Sequence, residues 1–455
     1  MSLDEKKLLW EVETCIQQKR FREAKELLSD MEPIDIAEGL EDLPSAQLVL
    51  YFRLLPKDLA VEVFEMLDFD EQERFLAHAT GDEVTEIIEE MSDDDRTELF
   101  DELPATTVKR LLLKLSPEER RLANTLLGYP EDSAGRIMTP EYIALKAHMT
   151  VKSALERIRE KARSKETIYT SFVTDEGRHL LGAVELEDLI LADPDAEVID
   201  IMNGDPVSVA TSADQEQAAQ IISRYDLHTL PVVDSEKRLV GIITFDDVLD
   251  VVEEEATEDI ERMAGIEPVE EDYLDANLFT VARKCFVWLV ICIITEALTS
   301  TVLKHYSPLT QHVVSLTFFV PLLIGTGGNA GTQAATLMIR GMTVGEIQWK
   351  NLGRIIAREA ATGVLLGSAL GLLGLARAWM IGTGYGVAVT VGLGVLLVVL
   401  IGNLAGTALP LLARALHIDP AIMSGPFITT VVDIVGLIVY FETAGAVLGL
   451  SSANL

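Results

Sequence analysis

A chain of 455 residues is too long for a single core, and its acids are not spread evenly. From Asn277 onward it holds 9 Lys and Arg against 6 Asp and Glu, which leaves residues 1–276 with 28 and 67 of the chain's 37 and 73, a balance of −39. So acidic a half repels nucleic acid and anionic lipid and attracts cations, while three scattered cysteines exclude a disulfide framework or a zinc site.

The chain opens Met-Ser-Leu-Asp-Glu-Lys-Lys with no apolar core behind it, so the acidic half is expected to stay in the cytosol. Residues 1–130 read as all helix: Leu59, Val63 and Leu67, or Ile87, Ile88 and Met91, recur at helical spacing. Pro44, Pro56, Pro104 and Pro117 each suit a helix start, which predicts short helices in a small superhelical stack. Asp93, Asp94 and Asp95 behind Ser92 read first as helix-capping acids and second as cation ligands.

Residues 137–250 repeat themselves. Ile137-Met138 recurs as Ile201-Met202, and Leu181-Gly-Ala-Val-Glu-Leu-Glu-Asp188 recurs 59 residues on as Val240-Gly-Ile-Ile-Thr-Phe-Asp-Asp247. Each copy reads strand, helix, short strand, turn, strand, helix. The pattern resembles a tandem pair of cystathionine β-synthase (CBS) domains. Such pairs commonly bind adenine nucleotides, so the resemblance implies ATP as a possible ligand, with Asp188 and Asp247 as candidates for the ribose. Read as residues alone, both acids cap helices. Thr170 and Glu187 stand near Asp188 in place of an aromatic and a basic residue, and Glu187 repels phosphate.

Residues 246–275 read as one long acidic helix. Asp247, Asp250, Glu254, Glu258 and Glu261 share a face with no basic residue before Arg262, and such a row asks for counter-cations. A solvated face is the simpler reading.

Beyond it lie five apolar stretches, about 279–303, 311–338, 354–376, 387–412 and 424–448, each near or beyond the roughly 20 residues a spanning helix needs. Placing the N-terminal side in the cytoplasm puts Arg283, Lys284, Arg340, Lys350, Arg354, Arg358 and Arg414 inside and only Lys304 and Arg377 outside. Five spans then leave the C-terminus outside. In the second stretch, four glycines surround Asn329, so either irregular backbone and the amide offer oxygens to a hard cation, or the glycines let helices pack closely. In the fifth, Asp433 lies well inside the apolar run. An acid there costs about 2.5–3.5 kcal/mol unless it faces protein, water or a cation, and cation passage is the reading we carry forward. Glu359 beside Arg358 reads as an interfacial ion pair, Glu296 carries no assignment, and Asp419 reads as the cap that opens the last helix.

Taken together, the chain resembles the MgtE family of magnesium channels. The residues that carry this are Pro321-Leu-Leu-Ile-Gly-Thr-Gly-Gly-Asn-Ala-Gly-Thr-Gln333, Asp419-Pro-Ala-Ile-Met-Ser-Gly-Pro-Phe-Ile-Thr-Thr-Val-Val-Asp433 and Glu255-Ala-Thr-Glu-Asp259. The resemblance implies a multidomain fold: an all-α superhelical N-domain (1–130), α/β tandem CBS domains (131–200 and 201–250), a connecting or plug helix (251–276) and a five-helix all-α transmembrane domain (277–455). It implies a homodimer in the bilayer with a pore between its membrane halves, Asp433 and the Thr429 carbonyl forming the ion site. It also implies a gate set by cytosolic Mg2+. The matching acids are Glu62, Asp94 and Glu98 in the N-domain, Asp214, Glu216 and Asp226 in the second CBS copy, and Asp247, Asp250, Glu255, Glu258 and Asp259 in and before the plug. Any ligand at Arg136 or Ser223 has to be a backbone carbonyl. Passage of other divalent cations such as Co2+ or Mn2+ is the alternative, and a nucleotide-sensing membrane protein is a more distant one. An enzyme is disfavoured, since no paired nucleophile and base, His-rich metal set or phosphate loop is visible.

Overall fold

The computed structural model describes residues 3–41, 43–269, 276–347, 349–423 and 425–450. It divides into two compact units, Met1–Val252 and Glu253–Leu455.

In the first unit, short helices run from Leu3–Gln17 to Pro117–Leu126. The first packs on the third, the second on the fourth and the eighth on the tenth, which is the stacked arrangement expected. Pro44, Pro56 and Pro104 occupy N-cap positions and Pro117 opens its helix. An apolar spine that includes Ile36, Leu48, Phe64, Phe75, Ile88 and Leu111 fills the stack.

The two repeat copies follow. The first forms a sheet with Ala144–Leu145 parallel to Thr170–Thr174, which pairs antiparallel with Leu180–Glu185. The second repeats this with Val209–Ala210, Thr229–Val233 and Leu239–Thr244. Even the register irregularity recurs at the 59-residue offset, at Val173/Thr174 and Val232/Val233. The repeated methionines explain themselves: Met202 lies against Gly182 and Met138 against Gly241, leaving no room for a Cβ at either glycine. Each copy is thereby locked by the segment that leads into the other. Thr139 bridges Ile242, and Leu239 donates to the Arg178 carbonyl at 2.9 Å, so the copies share backbone hydrogen bonds.

The acidic helix is shorter than its charge pattern predicts. It runs Phe245–Ala264. Gly265, at φ +77°, ends it: its N–H donates to the Arg262 carbonyl and that of Ile266 to the Glu261 carbonyl, a glycine C-terminal motif with Pro268 just beyond. Residues 270–275, the end of the expected helix, lie outside the described residues.

Among the described residues, the second unit holds five helices long and apolar enough to cross a membrane: Leu278–His305, Val314–Thr343, Leu352–Ile381, Tyr385–Ala415 and Gly425–Leu448. The glycine-rich stretch is regular helix from Val320 to Thr343, so the expectation of freed carbonyls is corrected in favour of close packing. A Cβ on Gly328 would lie 2.7 Å from the Thr429 methyl, and one on Gly331 2.9 Å from Ile428. On the fourth span, a Cβ on Gly402 would meet the Gly327 carbonyl oxygen at 2.5 Å. Gly402→Val forces those two backbones apart and is expected to cost about 1–3 kcal/mol or more. A lowered melting temperature and loss of monodisperse elution in detergent check this; a wild-type profile contradicts it.

Candidate functional site

Asp433 sits in the fifth span, where packing against the second and fourth spans leaves it 4% exposed. Val432 beside it faces Gly327 and Gly331, and Gly436 one turn on lies against Val398. Asp433 Oδ1 is buried without a hydrogen-bond partner. An ionised carboxylate in that state is costly unless a cation, water or a proton joins it. Thr429, one turn earlier, packs where Gly328 makes room, whereas Asn329 is on an exposed face of the second span. Asn403 and Glu442 are among the polar span residues that the sequence does not single out. Asn403 is 3% exposed within the fourth span. Glu442, in the fifth, accepts from the Tyr306 hydroxyl at 2.6 Å.

A second concentration of charge lies in the first unit. Asp94 and Asp95 open the helix Asp93–Glu102, and Asp246 and Asp247 open the connecting helix. Glu65 and Glu166 join them. Ser92 N–H donates to Glu65 at 2.9 Å and its hydroxyl to Asp95 at 2.6 Å, which fixes two of the acids. Burial first, then Asp95, Glu166 and Glu62, push Glu65 up to about 7. Partial burial, then Asp247, Asp95 and Asp246, push Glu166 up to about 7. Burial, then Asp247 and Asp95, push Asp94 well above the carboxylate range, and its Oδ1 is buried with no partner. The arrangement stores like-charge repulsion that a divalent cation relieves. By contrast, Asp93 of the same tripeptide is consumed structurally, pairing with the buried guanidinium of Arg96, which also reaches Glu119 at 2.8 Å.

The remaining acids divide by role. Asp247 accepts from the backbone N–H of Thr244 at 3.2 Å and from its hydroxyl, so it anchors the helix start as well as facing Asp94. Asp250 follows on the next turn and Glu98 lies one turn after Asp94. Asp214 caps the helix Gln215–Tyr225, accepting from Glu216 N–H at 2.9 Å, while Asp226 holds a left-handed C-cap at the other end (φ +51°). One ion therefore does not take both. Arg136 commits its side chain to Asp101 at 2.9 Å, and Ser223 is exposed. In the second unit, Glu258 pairs with Arg262, and Arg262 with Asp419, which caps the turn before the fifth span by accepting from Ala421 N–H at 2.8 Å. Asp259 accepts from Thr343 at 3.3 Å; burial, then Asp419, raise it. Glu255 is half-buried on the same helix. Among the described residues, no three His, Cys, Asp or Glu side chains converge closely enough to enclose a bare ion.

Residues 320–443 match the family model MgtE, a divalent cation transporter; 31–132 match the MgtE intracellular N domain, and 134–195 and 198–254 each match the CBS domain. The chain is 38% identical to the magnesium transporter MgtE of Thermus thermophilus over 97% of its own length and 98% of that protein's. It is 31% identical to that of Bacillus subtilis over 98% of both. A crystal structure of the cytosolic domain of the Mg2+ channel MgtE in complex with ATP is 40% identical and covers 53% of this chain and 99% of that one, with TM-score 0.51. The soluble part of a magnesium transporter is 30% identical over 55% of this chain and 99% of that one, with TM-score 0.53. Five apolar spans behind a helical domain and a CBS pair define an integral membrane protein of the divalent cation transporter class. The chain belongs to the MgtE family.

Proposed function

We propose that this chain is a magnesium channel that admits Mg2+ to the cytoplasm and closes when cytosolic Mg2+ rises. The observation that carries the reading is Asp433: 4% exposed in an apolar span, one carboxylate oxygen unpartnered, set between glycine-packed helices. Mg2+ holds its water shell tightly and prefers six oxygens at about 2.0–2.1 Å, so a hydrated ion needs only a few anchors such as Asp433, the Thr429 carbonyl and Asn329. Two copies of the chain, N-termini in the cytoplasm and C-termini outside, would form the pore between their membrane halves. In this reading the acidic half is the sensor. Hydrated Mg2+ among Glu62, Asp94, Glu98 and Asp247 draws the N-domain helices to the start of the connecting helix. Further ions act through Asp214, Glu216, Asp226, Asp250, Glu255, Glu258 and Asp259.

ATP is the bound ligand of a structural relative, but the candidate residues of this chain do not fit a triphosphate. Thr170 already donates its hydroxyl to Glu185 at 2.8 Å, Asp247 is held by Thr244, and Glu187 stands next to Asp188. Carboxylates would meet phosphates.

Purified protein in liposomes tests the function. Mg2+ influx with near-zero internal Mg2+, falling steeply as internal Mg2+ is raised, is expected. Flux that is equal at low and high internal Mg2+, or none at either, contradicts it.

A further inference from the structure

Glu296 is the acid in the spans with no assigned role, and its depth can be fixed from its neighbours. Tyr306, just past the first span, donates to Glu442 of the fifth at 2.6 Å and stacks on Phe441 at 4.9 Å between ring centroids. Counting back ten residues from Tyr306 reaches Glu296, and counting back nine from Glu442 reaches Asp433. At a rise of 1.5 Å per residue both distances are about 14–15 Å, so two parallel helices bring Glu296 level with Asp433. One turn further along, Thr299 is 3% exposed and its hydroxyl is buried without a partner, like Asp433 Oδ1. Glu296 itself is exposed in the single chain, and a charged group at mid-span costs about 2.5–3.5 kcal/mol in lipid. Water or a cation on that face removes the cost.

We propose that Glu296 is a second carboxylate of the cation path: with Asp433 it forms a paired-acid site, one acid from the first span and one from the fifth, that holds a partly hydrated divalent metal ion, with the Thr299 hydroxyl at its rim. This rests on the reading of Asp433 as the pore acid. Two carboxylates at one depth repel each other when empty and favour a doubly charged ion over a singly charged one. Glu296 thereby sets how tightly the path takes its ion, and Asp433 whether it takes one.

The test is Mg2+ influx into liposomes carrying the full chain, with external Mg2+ titrated and internal Mg2+ kept low. Glu296→Gln is expected to raise the half-saturating Mg2+ concentration about tenfold, the loss of one charged ligand. Glu296→Asp, which keeps the charge, should return it to within about threefold of wild type. Glu296→Ala, on an exposed helix face, gives the same reading should the Gln variant not elute as folded protein. Unchanged half-saturation in the neutral variants overturns the proposal, as does an equal shift in Glu296→Asp. Asp433→Asn runs alongside: if it alone abolishes flux, Asp433 stands without Glu296, and if it leaves flux intact, the pore reading itself has failed.

Discussion

Liposomes carrying Asp94→Asn with Glu166→Gln are expected to conduct Mg2+ almost independently of internal Mg2+. The physical reason is the crowding at the start of the connecting helix, where Asp94, Asp95, Glu65, Glu166, Asp246 and Asp247 act on one another. Two like charges about 6 Å apart at an effective dielectric of 20 repel by about 3 kcal/mol, roughly two decades in a two-state equilibrium. Removing two of them removes both the repulsion that opens the contact and the ligands that close it. The response of flux to internal Mg2+ should therefore fall at least about tenfold below that of wild type. A wild-type inhibition curve in the double variant would show that the cluster is not the sensor. Thr244 and its bonds to Asp247 are untouched by these substitutions, so the helix start is preserved.

The same acids give the sign of a pH effect. Glu65 and Glu166 are raised to about 7 in the folded protein, above their ordinary value near 4.5. A folded state with raised acids binds more protons than the separated one, so the contact is weakest at high pH and strengthens as pH falls through about 7 toward the ordinary carboxylate value. Protons then do part of the cation's work. In the double variant this pH response should flatten with the Mg2+ response.

Much of this architecture is legible in one dimension because it rests on composition. Spans of apolar residues fix the five helices to within a few positions, and the 59-residue repeat fixes the paired sheets, down to Gly182 and Gly241. The end of the acidic helix was also written in the chain: Gly265 followed by Pro268 is a stop signal that the charge row obscured. The glycine stretch from Gly325 to Gly331 was ambiguous, since loosened backbone and close helix packing need the same residue. Only the approach of the Gly327 carbonyl to Gly402 decides for packing. Glu65 and Glu166 lie 101 residues apart in the chain, and nothing local marks them as neighbours of Asp94. Tyr306 and Glu442 are similarly joined by folding alone. Tertiary convergence is what a single sequence hides; the acid at position 433 is visible without it, because it stands inside an apolar run.

Asp433 carries the largest single electrostatic effect expected in the membrane half. A singly charged carboxylate attracts a doubly charged ion about 5 Å away by about 6–7 kcal/mol at an effective dielectric of 20. Asp433→Asn keeps the shape and removes the cost of burying an ionised group, so the variant should fold. The decisive measurement is Mg2+ influx into liposomes by Asp433→Asn at low internal Mg2+, with elution and melting temperature matched to wild type. A fall in flux of about 100-fold or more is expected. Flux within about threefold of wild type would contradict it, because an ion that passes without the carboxylate does not pass beside it.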